Sequence, residues 1–261
     1  MADKKTEFAE AKTAEVIQFD PTMFEADAGA GLENMGQEDL ALPFLKVLGG
    51  MSKELDHLED ARKGDIYNSV TGAVLKGKEG IRVIPCAYQR RFIQWAPRGE
   101  GTGAPVAIYT PGETMPKTER SAEDNKEYLT DGSGQYIEET HQHFVLVMHD
   151  DGTVESALIA MKSTQLKKSR KWNSMIASRT MTNAKGISFQ PPRFSHVYKL
   201  STSSEKNDKG SWHGWNIELV GEVKDANVYR SAKAFHESIA SGNVTVKHEQ
   251  ETSTGRTDEP F

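Results

Sequence analysis

Rings and guanidinium groups alternate between Tyr88 and Trp95. In an extended strand Tyr88, Arg90 and Phe92 share one face, while Arg91, Ile93 and Trp95 share the other. An arginine beside an aromatic ring on a solvent face can neutralise a phosphate while the ring stacks on a base, which is the chemistry of single-stranded nucleic-acid binding. The alternation leaves open which face meets solvent. The same pairing recurs twice. Lys162, Lys167, Lys168, Arg170, Lys171 and Arg179 surround Trp172, and Lys206 and Lys209 precede Trp212. Trp212 is expected exposed at the lip of a loop, as a stacking platform. Trp172 is expected as the anchor of a helix on the core.

Catalytic constellations are weaker. His141, His143 and His149 fall on one face of a strand, where imidazoles could meet around zinc. No carboxylate or cysteine joins them at metal spacing, so they read as half-exposed sheet histidines. Asp150 and Asp151 are turn residues. No Walker lysine loop or nucleophile elbow is present. The expectation is a binding protein, not an enzyme, with no cofactor and no metal. A nuclease whose acids converge only in space stays open as the alternative, as does a structural or adaptor protein.

The net charge of −6 argues against a polyanion partner until it is resolved along the chain. Residues 1–60 hold 14 acids and 5 bases, and residues 100–140 hold 9 acids and 3 bases. Residues 81–99 hold four arginines and no acid, and residues 156–204 hold nine Lys/Arg and no acid. An acidic average therefore hides two basic segments. The single cysteine, Cys86, excludes an internal disulfide framework and a multi-cysteine zinc site and points to a reducing compartment. No apolar run approaches the roughly 18 residues of a membrane span, so a cytoplasmic protein without a membrane partner is expected.

These residues need elements to position them. Residues 1–40 are acidic and aperiodic and are expected to be disordered. Residues 41–242 read as one domain, opening with "LPFLKVL" and two short strands around a turn at Thr71-Gly72. A long strand follows at 80–97, where Pro85 implies an edge position or a bulge. Residues 98–139 are rich in Gly, Pro and charge and read as an insertion. "HQHFVLVMHDDGTVESALIAM" is a hairpin, then a helix starts near Ser163 or Thr164, and two more strands occupy 193–203 and 211–224. On the last strand Trp215, Ile217, Leu219, Gly221 and Val223 read as core. The final helix has Asp225 as its cap, Val228, Ala232, Phe235 and Ile239 on one face, and Gly242 at its end. Residues 243–261 read as a flexible tail. Five antiparallel strands with a helix between the third and fourth give the fold class: mainly β with helices, an OB-fold-like Greek-key barrel plus a C-terminal helix.

The barrel order, the segments "LPFLKVL", "GDIYNSVTG" and "GSWHGWNIELVGEV", and the ending "TDEPF" together resemble phage-encoded single-stranded DNA-binding proteins. The ending is similar to that of bacterial single-stranded DNA-binding proteins, whose acidic tails close on Pro-Phe. Here Asp258 and Glu259 supply the acids and Pro260 and Phe261 the close, although Arg256 dilutes the acidity. The resemblance implies a protein that coats unwound strands in replication and recombination. It implies partners recruited through the tail, such as a polymerase, helicase or nuclease, and it is compatible with a homodimer.

Overall fold

The computed structural model describes residues 22–36, 39–207 and 210–248. The chain divides into two units, Met1–Gly36 and Gln37–Phe261. In the first, the described residues form a short helix, α1 (Thr22–Ala26), and turns. The second opens with a small sheet of β1 (Leu45–Val47), β2 (Ile66–Asn68) and β3 (Val74–Leu75). The main sheet begins with β4 (Ile81–Trp95), takes in three short strands, β5 (Ala107–Tyr109), β6 (Thr118–Arg120) and β7 (Glu127–Leu129), and continues with β8 (Tyr136–Met148) and β9 (Val154–Lys162). Helix α2 (Leu166–Ala177) and a hairpin of β10 (Met181–Thr182) and β11 (Ser188–Phe189) follow. The last long strands are β12 (His196–Asn207) and β13 (Gly210–Glu222), and α3 (Ala226–Ala240) comes after them.

The protein is mainly β, with a curled half-barrel sheet and helices. The five long strands lie in the order β9-β8-β4-β12-β13, all antiparallel. Numbered by appearance this is 3-2-1-4-5, with α2 between the third and fourth, as expected of an OB-type arrangement. The strand count is larger than five, because residues 98–139 are built into the sheet. β5 pairs with β4, β6 with β7, and β7 with β8, which itself begins inside that stretch at Tyr136. Among the described residues no ladder joins β9 to β13. Helix α2 instead touches both strands.

Both faces of the sheet are covered. On the inner face Val83, Val145, Ile159, Met161, Leu200, Trp215 and Ile217 pack around Trp172 of α2, with Leu45 and Ile66 of the small sheet. On the outer face Ile84, Phe144, Leu146 and Leu158 receive Val228, Ala232, Phe235 and Ile239 of α3. Each of the larger side chains adds about 1.5–3 kcal/mol by leaving water. α3 follows its sequence pattern throughout: Asp225 accepts from the N–H groups of Asn227 and Val228, and Gly242, at φ +80°, closes the end. Residues 243–248 extend past the expected domain boundary and lie on the same core, through Val244 and Val246.

Of the two readings open for Pro85 the structure takes the bulge, and two other local expectations change. Pro85 lies in a strand paired on both sides, and the accommodation is a bulge: Pro85 pairs with Val145 and Ala87 with Phe144, leaving Cys86 without a ladder partner. The freed Cys86 carbonyl accepts a hydrogen bond from His236 Nδ1 of α3 at 2.9 Å, and the Cys86 thiol is fully buried. Leu219 is 38% exposed, not core. A register shift against β12 sets Leu219 opposite Tyr198 and Gly221 opposite Val197, so Val220 bulges and the core parity ends after Ile217. Helix α2 starts at Leu166 after a 3-10 turn over Ser163–Gln165, and neither Ser163 nor Thr164 caps it. Gln165, at the cap position, uses its Oε1 to accept from the Trp215 N–H at 3.2 Å, tying the start of the helix to β13.

Trp215 is 3% exposed and lies in the inner core, next to this tie. Trp215→Ala is expected to lower unfolding free energy by about 3–5 kcal/mol, the range for emptying a buried aromatic site. Urea denaturation followed by circular dichroism measures it. A loss under about 1 kcal/mol would contradict the assigned register.

Candidate nucleic-acid interface

The bulge at Cys86 decides which face of β4 carries which residue. Beyond it, Tyr88, Arg90 and Phe92 stand opposite His143, His141 and Glu139 of β8. Tyr88 is half-buried, with its ring 5.5 Å from that of His141 and 5.1 Å from that of His143. Arg90 is exposed, its guanidinium 4.9 Å over the half-buried Phe92 ring and its Nε 2.9 Å from Glu139. On the other face Arg91 donates to Gln89 Oε1 at 2.6 Å. Trp95 does not join an interface. It is 4% exposed, packed with Ile93 and Tyr136 and covered by Tyr128 from the segment read as an insertion.

Cross-strand acids meet several of the expected cations. Lys162 lies 3.3 Å from Glu138, Arg170 3.6 Å from Glu139, and Lys168 pairs with Glu205. Lys167 and Lys171, one turn apart on α2, are exposed and have no ion pair among the described residues, and the same holds for Lys206 on β12. Trp212, opposite Glu205 on β13, is half-buried instead of exposed, and its indole N–H is buried without a partner. Lys209 and the tail residues Asp258, Glu259, Pro260 and Phe261 lie outside the described residues.

The sequence reading missed the polar chain beneath this surface. His141 and His143 are not half-exposed: they are 2% and 0% exposed. Arg193, after the "QPP" segment, donates from one terminal guanidinium nitrogen to His143 Nδ1 at 3.0 Å and from the other to Asn173 Oδ1 at 3.0 Å. A guanidinium only donates, so His143 carries its proton on Nε2 and donates to Ser169 Oγ at 2.7 Å. The Ser169 hydroxyl then donates to His141 Nδ1 at 2.7 Å, and His141 Nε2–H donates to Glu139 Oε1 at 2.9 Å. Every proton in the chain is thereby placed, running from a cation to an anion through three neutral groups. Burial pushes Glu139 up, but its hydrogen bond from His141 and the charge of Arg90 outweigh this and hold it below the usual carboxylate range. Burial brings Arg193 down to about 10.

Glu139, His141 and Ser169 stand in the order of a hydrolytic relay. Ser169 is 0% exposed and its oxygen is shared by two imidazoles, so no substrate carbonyl reaches it. The chain instead pins α2 to β8: Ser169 bonds both histidines, Trp172 stacks on His143 at 4.6 Å, and Asn173 takes Arg193. What it positions is the exposed lysine side of that helix. Among the described residues no group of three or more metal-ligating side chains is assembled, and no helix is long and apolar enough to cross a membrane.

Comparison with known proteins places most of the chain. Residues 11–245 match the family model described as Pam3 phage gp34-like protein. No curated protein and no solved structure matches.

The neutral relay makes stability depend on pH. His141 and His143 are both held below the ordinary histidine value, first by burial, and His196 and His248 are shifted the same way, His248 to about 4. The unfolded chain takes up protons near pH 6.5 that the folded chain refuses, so this stability is complete above about 6.5 and is lost as pH falls. Urea midpoints should hold nearly level from pH 7.5 to about 6.5 and decline from there to pH 5.5. Ser169→Ala orphans His143 Nε2–H and His141 Nδ1 and should cost about 1–3 kcal/mol at pH 7.5. Constant midpoints across that range would show that the histidines are not buried neutral.

Proposed function

The chain belongs to the Pam3 phage gp34-like family, and from that premise we propose that it is a single-stranded DNA-binding protein, not an enzyme. It coats and protects exposed strands during phage replication and recombination, in the host cytoplasm, without sequence preference and without a cofactor. The observation that carries the reading is the connectivity: five long strands in OB order with α2 inserted after the third, an arrangement that often binds oligonucleotides. The exposed side of α2 adds Lys167 and Lys171, and the β12–β13 arm adds Lys206. The half-buried rings of Phe92 and Trp212 are the stacking surfaces, each with a cation nearby in Arg90 or on the Lys206 arm. Recruitment of a polymerase, helicase or nuclease falls to Asp258, Glu259, Pro260 and Phe261, acids beside an apolar ring.

Titration of fluorescent oligo-dT at several salt concentrations tests the reading. Affinity should fall with a log–log slope of about −0.7 per phosphate contacted, and duplex of the same length should bind far more weakly. Trp212→Ala should cost about 1–3 kcal/mol of affinity through one lost stack. Absence of binding at low salt would turn the assignment toward a structural or adaptor protein, and divalent-dependent cleavage of the oligonucleotide toward a nuclease. Deleting Phe261 should leave oligo-dT affinity unchanged and abolish capture of purified host replication proteins. Equal capture by both forms would remove the tail from the proposal.

A further inference from the structure

A groove of about 570 Å³ lies between the 62–80 segment and the β12–β13 arm, and none of its lining residues is among those assigned above to DNA, although Trp212 and Lys206 lie on the same arm. Its floor is backbone held at close range. Gly77 N–H donates to buried Asp65, the Thr202 N–H donates to Gly77 O at 2.8 Å, and the Thr202 hydroxyl donates to Gly64 O. A Cβ at Gly77 would fall 1.8 Å from Gly64 O, and one at Gly64, where φ is +90°, would fall 2.5 Å from the His213 ring. Both glycines are buried, and the contact leaves no room for a side chain between the 62–80 segment and the arm, which holds the two walls of the groove at a fixed separation.

The walls are cationic and only partly neutralised. Lys76 is held by Asp65 at 3.2 Å, and Arg62 spends its guanidinium on the carbonyls of Glu59 and Ala61. Lys63 and Lys78 are exposed with no ion pair among the described residues, and Glu79 is the one further acid on the lining. Ser203 and Ser204 add exposed hydroxyls, and His213 stands opposite Ser204 in the ladder. Thr202, Ser204 and Lys206 share one face of β12, so the unpaired charge continues along the arm toward its tip. The Lys63 and Lys78 ammonium groups with the Ser204 hydroxyl make a site for phosphate oxygens.

We infer that this groove is a second phosphate track, which carries the backbone of the bound strand from the arm across the 62–80 segment. The inference rests on the single-strand reading above and extends it to residues outside the barrel strands. Lys63 and Lys78 contact phosphates, and the hydroxyl of Ser204 donates to the same groups. The track widens the footprint and carries no base specificity, since every contact is to phosphate.

The test compares wild type with Lys63→Glu/Lys78→Glu and with Lys63→Arg/Lys78→Arg, in oligo-dT titrations from low to high salt. The charge-reversed protein should bind more weakly, with a log–log slope shallower by about 1.4, two contacts at 0.7 each, and the arginine variant should keep the wild-type slope. The urea midpoint of the charge-reversed protein should match wild type, because neither lysine has an ion pair to lose among the described residues. A wild type that binds with a slope the charge reversal leaves unchanged would overturn the track while leaving the single-strand reading intact. A wild type that fails to bind oligo-dT at all overturns that reading itself. Titration with dTMP and with inorganic phosphate separates a strand path from a small-anion site. Binding of either as tight as that of the oligonucleotide, and lost in the charge-reversed protein, would overturn the track in favour of the free anion.

Discussion

A sheet that curls without closing leaves a seam, and most of this architecture follows from filling it. No ladder joins β9 to β13 among the described residues, so their inward side chains need a common cover. Trp172, 0% exposed, is that cover: it packs with Ile159 and Met161 from one side and Trp215 and Ile217 from the other. A ring of this size buries roughly 150–250 Å² and so holds two strand pairs that hydrogen bonds do not. Its helix must therefore lie across the seam, and the lysines on the far side of that helix face outward as a consequence.

Placing a helix there brings polar side chains into a closed space, and each needs a partner there. Ser169 lands between two histidines of β8, and Asn173 meets the Arg193 guanidinium. The tautomers follow from the two ends of the chain: a donor-only arginine at one end and an acceptor-only carboxylate at the other. Such a chain contributes less to stability than to uniqueness, since sliding α2 along the seam would break several bonds together. The exposed cations thus sit on an element whose register is held from below. On the proposed function this favours binding, because less ordering of that surface would remain to be done when a flexible polyanion docks.

Local pattern carried the parts of the fold that depend on neighbours in sequence. The face of α3, its Asp225 cap and Gly242 stop, the hairpin at Gly152 and the order of the five long strands were all legible, because each is set by spacing within one element or by its position in the chain. Contacts set by register between strands were not. Glu138, Glu139 and Glu205 lie outside the acid-free stretch, yet the ladder and the packing of α2 bring them to Lys162, Arg170 and Lys168. Charge counted along the chain overstated the free cations for that reason. His141 and His143 showed their shared face in their spacing, while their burial depended on Trp172 and Arg193, residues about 30 and 50 positions later. The bulges at Cys86 and Val220 moved parity without any mark in composition beyond Pro85.

The chain's single thiol sits in that first bulge, under α3. Burial raises its pKa to about 12, so at neutral pH almost none of it is the reactive thiolate. Its neighbours Ile84 and Ala87 and the overlying Phe235 side of α3 leave a reagent no route inward while the layer is closed. Alkylation of the native protein then proceeds only through excursions that lift α3 from the sheet, and its rate reports how often they occur. Cys86 is in effect a built-in clock for the outer layer, readable by mass spectrometry without adding a label. Because the inner face holds the other hydrophobic cluster, a nucleic acid that stiffens the molecule as a whole would slow this clock, and one that grips only the inner-face elements would leave it running.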